Sequence, residues 1–173
     1  MSTCCIHRRY YSNDNICAEY FVNGIVKCGE FKQFYLDGTI KSHGTYINGE
    51  LHGEHFNFND EYFIKSNYNN GKLYGEYKKY YLNGKLQFKR TYIDDKLCGE
   101  YKQYYSDGKL QIHCNYIDGV FHGEYTEFDE DGNIYKKSNF INGKLHGLHE
   151  IYYADGKLEF KCIYDNGNLI SCN

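Results

Sequence analysis

Aromatic and polar residues alternate along most of the chain in short runs, and turn-forming pairs such as Asn-Gly and Asp-Gly separate the runs. Residues 75–81, Gly-Glu-Tyr-Lys-Lys-Tyr-Tyr, form one such run, and residues 85–93 form the next after Leu-Asn-Gly. A period of two is typical of half-buried strands, and Asn-Gly between two strands is a strong hairpin signal. The pattern therefore predicts an all-β chain, an open single-layer antiparallel meander of β-hairpins.

The alternating runs recur as a repeat of about 24 residues. Each unit opens with Gly, usually followed by Glu and a ring, and successive opening glycines are 24, 22, 24, 24 and 24 residues apart. A fixed period of this length is typical of arrays in which each unit packs against its neighbours. We predict one repeat array over residues 1–173, with a degenerate first unit at 5–28. The six later units start near residues 29, 53, 75, 99, 123 and 147.

The residue pattern within a unit predicts two different faces. If the opening Gly is position 1, even and odd positions should point to opposite sides of the sheet. Positions 6, 12 and 18 are aromatic or aliphatic and position 16 is mostly small, so the even face is the expected core. Hairpin symmetry predicts that position 6 faces position 12 and that position 3 faces position 15.

The odd face is a candidate binding face. The predicted pairing sets a ring at position 3 against Lys or His at position 15, and Tyr recurs at position 7. The candidates are Tyr77, Lys89, Tyr101, His113, Tyr125, Lys137, His149 and Lys161, together with Tyr81, Tyr105 and Tyr153. One interpretation is structural, because Lys over a ring stabilises an exposed site by about 0.5–1 kcal/mol. The other is a surface that binds an extended acidic peptide or an anionic head group, and the two are compatible.

Composition narrows the function classes further. The 21 Tyr and 11 Phe favour strands and argue against an all-α protein. The net charge of −3 argues against nucleic-acid binding. The apolar stretches are too short for a membrane-spanning helix, and the N-terminus lacks the apolar core of a secretory signal, so we expect a cytoplasmic protein, in its source cell or in a host cell. Abundant Lys, Asn and Ile are typical of AT-rich genomes, such as those of giant viruses, protists and low-GC bacteria.

The residues that could carry chemistry show no catalytic pattern. Without a secretory signal, the eight Cys are expected to be free thiols, and none has the spacing of a zinc site. A Glu recurs once per unit with no distinct partner, whereas paired-carboxylate hydrolysis needs one special pair. The recurring carboxylates are Glu30, Glu54, Glu76, Glu100 and Glu124. We therefore predict no enzyme, no cofactor and no metal site.

The repeated motifs resemble a known family. Asn142-Gly143-Lys144-Leu145-His146-Gly147 and the equivalent run at 48–54 look like MORN repeats, closest to the variant type of antitoxin-like repeat proteins. The resemblance implies a single-layer, curved antiparallel sheet and a non-enzymatic scaffold for protein–protein interaction. It leaves two alternatives open: an antitoxin-like neutraliser of one partner protein, or a membrane-proximal adaptor that binds anionic lipid through the Lys row. The net negative charge argues against the adaptor.

Overall fold

The computed structural model describes residues 4–173, and every regular element among them is a β-strand. The predicted all-β class is confirmed, while residues 1–3 of the predicted array lie outside the described part. The strands are β1 (Cys5–Tyr10), β2 (Ile16–Asn23), β3 (Val26–Phe34), β4 (Ile40–Ile47), β5 (Glu50–Leu51), β6 (Gly53–Phe58), β7 (Tyr62–Asn69), β8 (Lys72–Leu73), β9 (Gly75–Tyr81), β10 (Leu86–Ile93), β11 (Lys96–Leu97), β12 (Gly99–Tyr104), β13 (Leu110–Ile117), β14 (Val120–Phe128), β15 (Ile134–Ile141), β16 (Lys144–Tyr152), β17 (Leu158–Asp165) and β18 (Asn168–Cys172). No helix between residues 4 and 173 is long and apolar enough to cross a membrane.

The strands form one open antiparallel sheet in which spatial order follows chain order. The longer strands pair in chain order, from β1 with β2 and β2 with β3 to β17 with β18. The two-residue strands β5, β8 and β11 each pair with the long strand before them, and that strand also pairs with the next long strand, as β10 does with both β11 and β12. The predicted β-hairpin meander is therefore confirmed.

The Asn-Gly and Asp-Gly turns between units have the geometry that their residues predict. Asn48 has φ 52° and Gly49 has φ 88°, and two successive positive φ values are what a tight two-residue hairpin turn requires. The Gly49 N–H also donates to the Lys27 carbonyl of the preceding unit over 2.9 Å. Equivalent bonds recur at each later unit boundary, so these turns both reverse the chain and join neighbouring units.

The register within each hairpin differs from the prediction after its first pair. Tyr104 faces Leu110, which confirms the pairing of positions 6 and 12. The next pair is Gln103 with Ile112, so one residue is skipped in a β-bulge, and Tyr101 then faces Cys114. Every unit from Gly29 onward has this shift except the one at Gly53, whose turn is two residues shorter. The predicted pairing of position 3 with position 15 is wrong.

The bulge also changes which positions share a face. A shift of one residue moves every following side chain to the opposite side of the sheet. In the units with the bulge, positions 16 and 18 therefore lie on the side of position 3, and positions 6 and 12 lie on the other side with position 15. In the unit at Gly53, His55 faces Ser66 without a bulge. The predicted even-numbered core is wrong in this respect. The most buried apolar side chains are Phe31 (6% exposed), Tyr92 (9%), Cys114 (1%) and Cys162 (1%), all at positions 3, 16 or 18.

Two cysteine pairs differ from the expectation of free thiols. Cys4 is bonded to Cys28, and Cys162 is bonded to Cys172, so the first and last strands are each tied to the array. Cys114 is a free, buried thiol, as the sequence predicts for a small apolar residue.

Candidate functional site

A row of rings lines one side of the sheet. Positions 3 and 18 contribute two rings from each unit, and position 16 lies opposite position 3 on the paired strand. We call these three positions together the ring face. Its rings are Phe31, Tyr46, His55, Tyr68, Tyr77, Tyr92, Tyr101, Tyr116, Tyr125, Phe140, His149 and Tyr164.

The rings of the ring face contact one another within and between units. The Tyr101 and Tyr116 centroids are 5.9 Å apart at 73°, an edge-to-face arrangement that favours aromatic pairs. Phe88 and Phe121 are further rings on this side of the sheet. Phe88 lies 6.0 Å from Tyr77 in its own unit and 6.3 Å from Tyr101 in the next. Phe121 likewise lies 4.7 Å from Tyr116 in its own unit and 5.2 Å from Phe140 in the next. The ring face is therefore continuous across unit boundaries.

Burial suppresses ionisation of the Cys114 thiol and of the tyrosine hydroxyls on this face. It raises the pKa of the Cys114 thiol to about 12, so almost none is thiolate at neutral pH. It also raises the pKa of Tyr116 to about 12 and raises the pKa values of Tyr77 and Tyr101. The tyrosine hydroxyls consequently stay neutral and can act only as hydrogen-bonding groups.

The opposite side of the sheet carries the ion pairs, at positions 2, 4 and 15, and we call these positions the charged face. Glu76 accepts from Lys78 and Lys89 at 2.7 Å each, and these contacts lower the pKa of its carboxyl to about 2. The other pairs on this face are Lys65 with Glu54, Lys102 and His113 with Glu100, and Lys161 with Glu150. Three carboxylates of the recurring Glu row, those of Glu54, Glu76 and Glu100, thus neutralise neighbouring cations.

The structure divides the predicted binding residues between the two faces. Because of the bulge, the predicted ring-to-base pairs do not form, and Tyr101 lies on the side away from His113. The ring face contains Tyr77, Tyr101, Tyr125 and His149. The charged face contains Lys89, His113, Lys137 and Lys161. The prediction that these residues share one face is wrong.

The position-7 tyrosines connect neighbouring units. The Tyr81 hydroxyl donates to the Tyr104 carbonyl over 2.9 Å, and the Tyr105 hydroxyl donates to the Phe128 carbonyl over 2.8 Å. Tyr153 is in the last unit and is 53% exposed. Two of the three predicted binding tyrosines at this position therefore stabilise the array itself.

Arg90 belongs to the ring face but is absent from the residues predicted from sequence. It occupies position 16, where the other units have Gly, Ser or Cys. Alignment of the units with one another could have identified Arg90 from the sequence, because every other unit has a small side chain at position 16. Between residues 4 and 173, no group of three His, Cys, Asp or Glu side chains could hold a metal ion.

The repeats match a known family model. The model described as MORN repeat variant matches five tandem stretches, which together cover more than half of the chain. They are residues 27–48, 73–94, 97–118, 121–142 and 145–166. The gap at 49–72 contains the unit that is two residues shorter and lacks the bulge. No curated protein matches the chain.

Proposed function

Since the chain belongs to the MORN repeat variant family, we propose that it is a non-enzymatic scaffold that binds another protein through its ring face. The observation that carries this proposal is the continuous row of rings on a sheet with no second layer. No other strand or helix of residues 4–173 packs over the ring face. Its rings are therefore held rigidly by the backbone yet stay accessible to a partner.

Partial exposure of the rings supports a contact role. Tyr77, Tyr101 and Tyr125 are half-buried, so one side of each ring packs on the sheet while another remains open. Rigid tyrosines lose little conformational entropy on binding and offer both apolar area and a hydroxyl. Aromatic residues are also enriched in protein interfaces, where charged residues are depleted from the centre.

The ionisable groups support a non-enzymatic role. A general acid or base works best with a pKa near the working pH. Here contacts with lysine lower the pKa of Glu76 to about 2, and burial raises that of Cys114 to about 12. Both pKa values therefore lie far from neutral pH, which suits a structural role better than proton transfer.

The charged face argues against the membrane-adaptor alternative. A lipid-binding row would need cations without local counter-charges, whereas three of the four lysines at position 15, Lys65, Lys89 and Lys161, each contact a Glu and only Lys137 does not within residues 4–173. An antitoxin-like neutraliser is a special case of protein binding with one dedicated partner, and the ring face would serve it equally well. We propose that the scaffold acts in the cytoplasm of its source or host cell.

Site-specific photo-cross-linking in the source cell tests this function. A photoreactive residue replaces Gln33, which lies on the ring-face side, or Lys32, its exposed neighbour on the opposite side. We expect discrete protein adducts from position 33 and few from position 32. Adducts from position 32 alone, or equal adducts from both positions, would contradict the assignment of binding to the ring face. No adduct from either position would contradict the scaffold function.

A further inference from the structure

One unit of the ring face carries a partly buried cationic group in place of a small residue. Position 16 is Gly44, Ser66, Cys114, Ser138 and Cys162 in five units, and all five are buried. In the remaining unit it is Arg90. A guanidinium therefore occupies position 16 near the middle of the array, whereas the other units have only small side chains at this position.

Arg90 lies among rings and has no acidic partner. Its Cζ is 4.6 Å from the centroids of Tyr77 and Phe88 and 5.3 Å from that of Tyr92. Its Nε is buried and makes no hydrogen bond. No carboxylate in the described part of the chain lies within ion-pair distance of Arg90, although a guanidinium has five donors.

A second cation, Lys79, lies in the same unit and on the same side of the sheet as Arg90. Lys79 is paired with Phe88, two residues before Arg90 on the same strand, and its Nζ is 3.9 Å from the Tyr62 centroid. Lys79 also forms no ion pair within residues 4–173. Its neighbour Lys78 and the neighbour of Arg90, Lys89, both contact Glu76 on the charged face. The cations of this unit are thus neutralised on one face and left without counter-charges on the other.

We propose that Arg90 and Lys79 form an anion-binding site for the carboxylate side chains of an extended acidic segment of a partner protein. The proposal rests on the scaffold function and names the chemistry of its partner. The planar guanidinium suits a carboxylate, which can accept two parallel hydrogen bonds from it. The rings around it exclude water, which strengthens such a bond, and they pack against the apolar parts of the segment.

Two further features favour an acidic peptide over other anions. A nucleic acid would need a long row of cations to neutralise its phosphates, whereas this site offers Arg90 and Lys79. The ring face is also a continuous row on a single-layer sheet, which matches an extended chain whose alternate side chains point the same way. A peptide with Glu at alternate positions would direct all of these carboxylates to one side, toward Arg90 and Lys79, with their methylene groups against the surrounding rings.

Binding of such a peptide, measured by fluorescence anisotropy, tests the site. The probe is a labelled peptide that alternates Glu with Val, and its control carries Gln in place of Glu. The critical variant is Arg90→Ser, because Ser occupies the same position in two other units and should leave the ring layer intact. Lys89→Gln is the matched control, since it removes the adjacent cation from the charged face.

We expect Arg90→Ser to weaken peptide binding by about tenfold to a hundredfold, the range of a charge-assisted hydrogen bond. Lys89→Gln should change the affinity less than about twofold, because its charge is already paired and solvent-exposed. The Gln peptide should bind more weakly than the Glu peptide, and added salt should weaken Glu-peptide binding. Circular dichroism and thermal melting of each variant show whether the fold is retained.

Three results would overturn the site. They are no binding of the Glu peptide to the unaltered protein, equal binding by folded Arg90→Ser, and binding of anionic vesicles without binding of the peptide. Cross-linking separates this failure from failure of the scaffold function. If Arg90→Ser keeps the protein adduct formed from position 33, the acidic-segment site is wrong and the scaffold function remains.

Discussion

The ring face and the charged face belong to the same strands but hold the protein together in different ways. Tyr101 and Cys114 face each other across one hairpin, with Cys114 buried and Tyr101 half-buried. On the reverse side of the same two strands, Glu100 contacts Lys102 at 2.7 Å and His113 at 3.0 Å, with its side chain 44% exposed. Apolar burial stabilises more than exposed ion pairs do, so we infer that the ring face supplies most of the stability.

The largest expected effect comes from removing a ring of the ring face. Tyr92→Ala should lower the free energy of unfolding by about 3–5 kcal/mol, because the ring is only 9% exposed and its loss leaves a cavity. Tyr104→Ala is the matched change on the other side of the sheet and should cost less, since Tyr104 is half-buried. Urea unfolding followed by circular dichroism measures both. A larger loss for Tyr104→Ala would show that the two faces are assigned the wrong way round.

A second prediction adds volume to the ring face instead of removing it. A Cβ at Gly44 would lie 3.0 Å from Phe31 Cε1 and 3.2 Å from the Glu54 carbonyl oxygen. The ring can shift but the backbone oxygen cannot, so Gly44→Ala should cost about 1–3 kcal/mol through overpacking. Ser66→Ala, at the equivalent position of the next unit, keeps a Cβ that is already accommodated. Equal thermal midpoints for the two variants would mean that the position-16 residues are not closely packed against the neighbouring rings.

The third prediction concerns the pH dependence of the ring face. Burial, and secondarily the charge of Lys136, lowers the pKa of His149 below its ordinary value in the unfolded chain. The unfolded chain therefore binds the proton more readily, and stability should fall as the pH drops below about 6.5 toward the lowered value. His149→Tyr introduces the residue of the equivalent positions 77, 101 and 125 and should reduce that loss. Unfolding free energies at about pH 7 and pH 5 measure it, and an unchanged pH slope would contradict the prediction.

The smallest effect should come from the charged face. Lys89→Gln removes one of the two lysines that contact Glu76, and Lys78 remains. Because the Lys89 and Glu76 side chains are 36% and 51% exposed, the change should cost about 0–1 kcal/mol and less in high salt. Thermal midpoints at low and high ionic strength measure it. A loss comparable to that of Tyr92→Ala would contradict the distinction between the faces.

The period, the strands and the turns could be predicted from the sequence alone, because they depend on local preferences. Asn48 and Gly49 readily adopt the positive φ values that their turn needs, and alternating rings and polar residues favour extended backbone. The pairing of Tyr104 with Leu110 could also be predicted, because it lies next to a turn of predictable length. Six similar units made each of these signals specific.

Which residues share a face depends on how the strands pair in the folded protein, and this could not be predicted. The skipped residue at Gln111 leaves the strand and its alternation recognisable but reverses the side on which all later residues of the hairpin lie. Tyr101 therefore pairs with Cys114 instead of His113, and the predicted binding residues separate onto two faces. A bulge depends on how two strands fit together after the turn, and a pattern read along one strand does not contain that information. The same pairing places Arg90 opposite Tyr77 in the ring layer, without a carboxylate to neutralise it.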